Sequence, residues 1–408
     1  MAKSKTTLVP KSIKSILTFR YDYTQKPILP KLTWRDFTEK QVTDPENHVE
    51  KIIVDSIKKN LGNLKSSNVC IALSGGIDST LTLCLLRKSF ADIKINALSV
   101  KFANSVDEST DARIIADKFS ANHQIMYIEN YFRELPKAIS VTKLPFWDLH
   151  WYHVAKKAKT LSNVIVSGDG GDELFGGYTF RYKKFLSLIN PNSPYKEKIQ
   201  VYLQCHERDW VPDQTEVFGK KIRFSWDEMY RYLKPYFDNP LPPLAQVFLA
   251  DFNGKLLYNW LPLYSQIHKH FTIKSLTPIL SKKMISYATH IPHELKYDDQ
   301  KQLGKLLLRN ILDKYIKNKL LFKNKQGFSV DTKNFFNSYG YDLCKYYLSN
   351  ARTTKAGLIN NDWIKKHLRK VDDAADIKYV NKFLGLLALE IWFRLFVTKE
   401  MKPNTVLS

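Results

Sequence analysis

Apolar positions along this chain change period as it proceeds. Val49, Ile52, Ile53 and Ile57 recur at helical spacing from about His48, and the pattern stops at Gly62, a residue suited to ending a helix. Val69–Leu73 is an unbroken apolar run of strand length, and helical spacing resumes over Ser79–Phe90. Ile93–Phe102 has strand character. Ser105-Val-Asp-Glu108 forms a capping-box pattern that opens a helix carrying Ala112, Ile115, Ala116 and Phe119 on one face. Gln124–Ile128 follows as a short strand, Trp151–Leu161 as a helix and Asn163–Val166 as a strand. Alternation of this kind predicts an α/β fold: a parallel sheet with helices on both faces.

The turn cluster Asn190-Pro-Asn-Ser-Pro194 marks a change, after which strands all but vanish. Three parts are expected. Residues 1–45 are basic and broken by Pro10, Pro27, Pro30 and Pro45, and predict an extended arm on the body with Trp34 and Phe37 as anchors. Residues 46–190 form the α/β core, and residues 191–408 a mostly helical part. The 408 residues suffice for a large buried core. The N-terminus precedes no apolar leader segment, and the apolar stretch Leu384–Phe393 is interrupted by Glu390 and too short to span a bilayer. A soluble, cytoplasmic protein with no membrane partner is expected. Cys70, Cys84, Cys205 and Cys344 show no Cys-x-x-Cys spacing, which points to buried thiols in a reducing compartment. Lysine and arginine number 63 against 40 acids, a net charge of +23. That balance favours anionic partners, or simply a solvated lysine-rich surface; it neither requires nor excludes nucleic acid.

Two short stretches carry the chemistry. Residues 69–80 run Val-Cys-Ile-Ala-Leu-Ser-Gly-Gly-Ile-Asp-Ser-Thr, and residues 164–178 run Val-Ile-Val-Ser-Gly-Asp-Gly-Gly-Asp-Glu-Leu-Phe-Gly-Gly-Tyr. In each, an apolar strand breaks into Ser-Gly and resumes as a helix with acids in it. The first loop lacks the Gly-Lys-Ser/Thr end of a Walker A loop. Gly75 and Gly76 let the backbone turn tightly, and N–H groups at the helix start, with the Ser74 and Ser79 hydroxyls, can form a nest for phosphate oxygens. Asp78 would repel that anion unless Mg²⁺ lies between them. The alternative is an ordinary strand-to-helix turn in which Asp78 complements the helix dipole. In the second loop Asp169, Asp172 and Glu173 crowd three carboxylates onto a glycine-rich turn, which a cation or hydrogen bonds must relieve. The alternative there is that Asp172 and Glu173 decorate a helix start.

Together the two motifs resemble the synthetase domain of the asparagine synthetase family, whose members are ATP pyrophosphatases. Further similar segments follow in family order: Asp107-Glu108-Ser109, Lys305-Leu-Leu-Leu-Arg309, Lys323-Asn-Lys-Gln-Gly-Phe328 and Leu387-Ala-Leu-Glu-Ile-Trp-Phe393. The resemblance implies an ATP pyrophosphatase (adenine nucleotide alpha hydrolase-like) core and an AMP-forming amide ligase, with aspartate to asparagine as the default reaction. It implies that Leu73, Ser74, Gly75, Gly76, Asp78, Ser79, Val100, Ser167 and Gly168 line the ATP site. Asp78 and Asp172 would hold Mg²⁺. Lys325 would stabilise charge as an acyl-adenylate forms and breaks down, and Asp169 stands where synthetases carry an acid and ring-closing relatives carry tyrosine. The partners implied are a small-molecule carboxylate and ammonia or an amine donor.

Two departures from the family pattern matter. Its glutaminase places a nucleophilic cysteine directly after the initiator methionine, whereas Ala2 stands here, and 73 residues precede Ser74. Free ammonia, a separate glutaminase subunit or another amine is therefore the expected nitrogen source. Secondly, Lys274, Leu276 and Ser281 stand where Glu, Arg and Asp are usual, and Lys143-Leu144-Pro145 replaces an Asp-Glu-Pro, although Asp148 persists. The nucleotide half is intact while residues bordering the acceptor half are rewritten. Another carboxylate, in a peptide, sugar acid or metabolite, is thus an open alternative to aspartate. A tRNA-modifying ATP pyrophosphatase is a second alternative.

Overall fold

A computed structural model describes residues 8–62, 68–102, 109–316, 331–369, 371 and 376–408. The elements that position the site are strands β1 (Asn68–Ala72), β2 (Lys94–Phe102), β3 (Asn122–Ile128), β4 (Val164–Val166) and β5 (Lys274–Leu276). Around them lie helices α1 (Pro10–Phe19), α2 (Pro45–Gly62), α3 (Ile77–Ser89), α4 (Ser109–Lys118), α5 (Leu135–Thr142), α6 (His150–Leu161) and α7 (Gly171–Phe175). The strands form one sheet in the order β3-β2-β1-β4-β5, and every neighbouring pair is parallel.

The chain lays down β1, β2 and β3 outward in one direction, then returns past β1 to place β4 on its other side. The right-handed rule for parallel crossovers places α3 and α4 on one face and α6 on the other. Consistent with this, α6 packs on β1, β2 and β4. Strands sandwiched this way read as continuous apolar runs: Val69, Cys70, Ile71, Val164, Ile165 and Val166 are all buried. Reversal of direction between β1 and β4 creates a crevice at their carboxyl ends. Both Ser-Gly loops open there.

Two elements depart from the sequence pattern. The N-terminal stretch contains the ten-residue α1 where an extended arm is expected. Pro10 sits at the first helical position, where its missing N–H costs nothing, and Ile13, Ile16 and Leu17 share one buried face. This face packs against the helix Ile377–Phe396. The second departure is β5, a strand well beyond Pro194 that extends the sheet through Val164–Lys274 and Val166–Leu276 pairing. After Asn190 the chain is otherwise largely helical. Ser105–Glu108 and Lys323–Phe328 lie outside the described residues, so the capping box and Lys325 receive no structural account. No helix among the described residues is long and apolar enough to cross a membrane.

Candidate active site

The first loop is held by its own hydroxyls. Ser74 N–H donates to Ser79 Oγ at 3.3 Å, Gly76 N–H donates to Ser74 Oγ at 3.4 Å, and Ser79 Oγ donates to the Gly76 carbonyl at 3.1 Å. Leu73, fully buried, continues the ladder through its N–H to the Leu98 carbonyl at 3.0 Å. Val100 lies on β2 beyond Leu98, the last residue of β2 paired with β1, and so reaches past the end of β1 toward the same crevice.

The second loop packs directly onto the first. A Cβ on Gly168 would come within 2.5 Å of the Asp78 carbonyl carbon, and one on Gly171 would overlap the Asp78 carboxylate. Only glycine permits this approach. Ser167 is fixed from below by its N–H to the Leu276 carbonyl on β5, 3.0 Å, and its hydroxyl donates to Asp169 Oδ2 at 2.6 Å.

Asp78 from the first loop and Asp172 from the second converge on one ammonium. Lys305 Nζ pairs with Asp78 Oδ2, and with Asp172 Oδ1 at 2.7 Å. Burial works against the charge on Lys305, but Asp172 and Asp78 outweigh it and raise its pKa. The two acids thus face a common point that favours positive charge. Asp78 Oδ1 is also buried without a hydrogen-bond partner. Hard carboxylate oxygens with a spare acceptor atom fit Mg²⁺.

The family follows from comparison with known proteins. The asparagine synthase family model matches residues 48–394. The chain belongs to the asparagine synthase family. It is 25% identical over 408 aligned residues to a glutamine-hydrolyzing asparagine synthetase 1 of Bacillus subtilis, an alignment covering 90% of this chain and 62% of that protein. It is 29% identical over 201 residues to a putative glutamine-hydrolyzing asparagine synthetase 2 of Methanocaldococcus jannaschii, covering 44% of this chain and 38% of that one. The chain therefore spans less than two thirds of the length of these relatives. Among solved structures, the NMN synthetase of Francisella tularensis aligns over 58% of this chain and 99% of its own, at 13% identity and a TM-score of 0.28.

Asparagine synthase family membership puts weight on the acids around α7. Asp169 is half-buried; burial pushes its carboxyl up to about 6, with the Ser167 hydrogen bond opposing and Asp78 and Asp172 reinforcing. Glu173 is 2% exposed. Burial pushes it up to about 8, the Asp172 charge adding to the effect, while the hydrogen bond donated by the Tyr178 hydroxyl opposes it.

Of the residues expected from sequence, Ser74, Ser79, Asp78, Ser167, Asp169 and Asp172 come together at the β1–β4 crevice. Lys305 is the addition. Its only sequence signal is that it opens the Lys305–Arg309 segment, and nothing local shows that it reaches both acids. Arg20 is a second. Its guanidinium pairs with Asp148 Oδ2 at 2.5 Å and Asp209 Oδ1 at 3.4 Å, which ties the N-terminal segment to the persisting Asp148. The rewritten acceptor-side residues are structural: Lys274 and Leu276 belong to β5, and the Ser281 hydroxyl accepts the Met284 N–H at 3.2 Å to cap the helix Lys282–Ala288.

Proposed function

We propose that this chain is an ATP-dependent, AMP-forming carbon–nitrogen ligase that activates a carboxylate as an acyl-adenylate and transfers it to ammonia or an amine. What supports this best is the convergence of Asp78, Asp172 and Lys305 where two glycine-rich loops meet at the strand-order reversal. Backbone N–H groups of the first loop, with Ser74 and Ser79, hold the phosphates of ATP. Bound at Asp78 and Asp172, Mg²⁺ supplies charge neutralisation to the pyrophosphate. The substrate carboxylate attacks the α-phosphorus, the bond to the bridging oxygen breaks and pyrophosphate leaves. The amine then attacks the acyl carbon and AMP departs. Lys325 meets the negative charge that develops in both steps. Asp169, with its carboxyl near 6, accepts the proton the amine loses.

Aspartate is the first substrate to test. A different carboxylate is the second reading, favoured by Lys274, Leu276 and Ser281, which build a strand and a helix cap where the family pattern has charged residues. A pyrophosphate-release screen across carboxylic acids, with ammonium, glutamine and amino acids as nitrogen donors, tests both. Release that depends on one acid identifies the substrate. Absence of AMP and pyrophosphate with every acid overturns the ligase reading.

A further inference from the structure

The sheet has one long open edge. β3 pairs with β2 over seven residues, and among the described residues no strand takes the hydrogen-bonding groups on its other side. Edges of this length are ordinarily blunted by charged residues, proline or a bulge. Asn-His-Gln-Ile-Met-Tyr-Ile has no acid, lysine, arginine or proline, and its register with β2 runs through every position without a bulge. Its side chains are also left uncovered. Ile125 is 41% exposed and Tyr127 61%, and the two-residue period places both on one face with His123. That face is the one on which α4 lies, since α4 packs on β3 and His123 feels the charges of Arg113 and Asp117. α4 adds Ile114, 43% exposed, to the same strip.

What fits this edge follows from its own symmetry. Two antiparallel copies of β3 centred on Ile125 set Ile125 against Ile125, and His123 against Tyr127 of the second copy, so that each exposed side chain finds an apolar or aromatic neighbour. The charges on α4 obey the same two-fold. Arg113 and Asp117 are exposed one helical turn apart, and neither has an ion-pair partner among the described residues. As the helix of a parallel crossover, α4 runs antiparallel to β3, and an axis passing midway between these two residues reverses it against its copy. Arg113 of each chain then meets Asp117 of the other. A foreign strand of one charge sign would satisfy only one of the two, whereas a second copy satisfies both. We propose that β3 and α4 form a self-association surface through which two copies of this chain join their five-stranded sheets edge to edge about a two-fold axis. The glycine-rich loops leave from β1 and β4, on the far side of β2, so the pairing leaves both crevices open.

The test is the mass of the whole chain by sedimentation velocity, from ~1 to ~100 μM in about 0.15 M salt, where a Debye length of about 8 Å confines the mutual repulsion of two +23 chains. A concentration-dependent dimer is expected, and a monomer throughout overturns the proposal. Ile125→Lys sets two like charges at the axis and should leave the chain monomeric, with a thermal midpoint near that of the wild type because the side chain is already partly exposed. Arg113→Asp and Asp117→Arg should each weaken the dimer at least ~10-fold, since each turns both charge contacts into like-charge pairs. Mixing these two variants restores opposite charges at both contacts, so a dimer holding one chain of each should form where neither variant pairs with itself. Differently labelled chains report it. A dimer that survives Ile125→Lys, or a mixture that associates no better than its components, places the interface elsewhere and overturns the proposal.

Discussion

Two clusters of buried charge flank α7, and they are built on opposite principles. On one side a single ammonium, Lys305, serves two carboxylates supplied by the two glycine-rich loops. On the other side Arg20, Lys255 and Arg181 form a run of interlocked ion pairs with Asp148, Asp209 and Asp251, drawn from segments far apart in the sequence. The first cluster is poised to exchange one cation for another. The second holds the N-terminal segment against the body, through Arg20 on Asp148 and Asp209. A single ammonium between two loops suits a site through which charge passes, and an interlocked run of cations and acids suits a wall.

This contrast can be broken first at Asp78. Its carboxylate is almost fully buried against Lys305, so Asp78→Asn should cost about 3–5 kcal/mol in urea unfolding, the scale of breaking a buried ion pair. The Asp172 side chain is 33% exposed, and Asp172→Asn should cost far less while abolishing Mg²⁺-dependent turnover. Equal penalties would mean that the two acids are not placed as described. Next comes Lys325→Ala. Loss of one electrostatic stabiliser should lower kcat at least ~10²-fold with little change in the KM for ATP, whereas Lys314→Ala should leave both near normal. Pyrophosphate release at saturating ATP decides between them, and equal rates would remove Lys325 from the chemistry.

The paired cluster is sharpened by Arg20→Gln, expected to cost about 2 kcal/mol because it leaves Asp148 and Asp209 short of a charged donor. Burial opposes the charge on Asp209, but Lys255 and Arg20 hold its carboxyl down at about 2. An acid depressed on folding stabilises above its unfolded value, about 3.9, and that stability is lost as pH falls toward 2. Acid unfolding of Arg20→Gln should therefore begin at higher pH than in the wild type; coincident curves would show that Lys255 alone suffices. The smallest effect concerns Asp169. Ser167→Ala removes the hydrogen bond that lowers its carboxyl, so the acid limb of the rate profile should move upward from about 6 by at most ~1 unit. An unmoved limb would assign it to another group.

The same division decides what the sequence discloses. β1, β4 and their loops are legible because each is a contiguous run in which strand, glycine turn and acids follow one another. The pairing of those loops is also legible, since a parallel sheet with a reversal must bring two such turns together. Lys305 is not, because its partners are chosen by tertiary packing from a chain rich in lysine. Nor is β5, whose Lys-Ser-Leu shows neither alternation nor an apolar run. In α1 the apolar spacing of Ile13, Ile16 and Leu17 is present, but the prolines around it suggest an extended chain. Pro10 begins that helix and does not break it.

β5 also governs how the molecule assembles. Until residues 274–276 have emerged from the ribosome, β4 is an edge strand, and Ser167 lacks the carbonyl that fixes the acid loop. Closing so long an interval is entropically slow, which favours a late step in folding. The nucleotide loops therefore reach their final shape only when the distant helical part docks, and a nascent chain stopped short of β5 should carry the ATP motifs without the ability to use them.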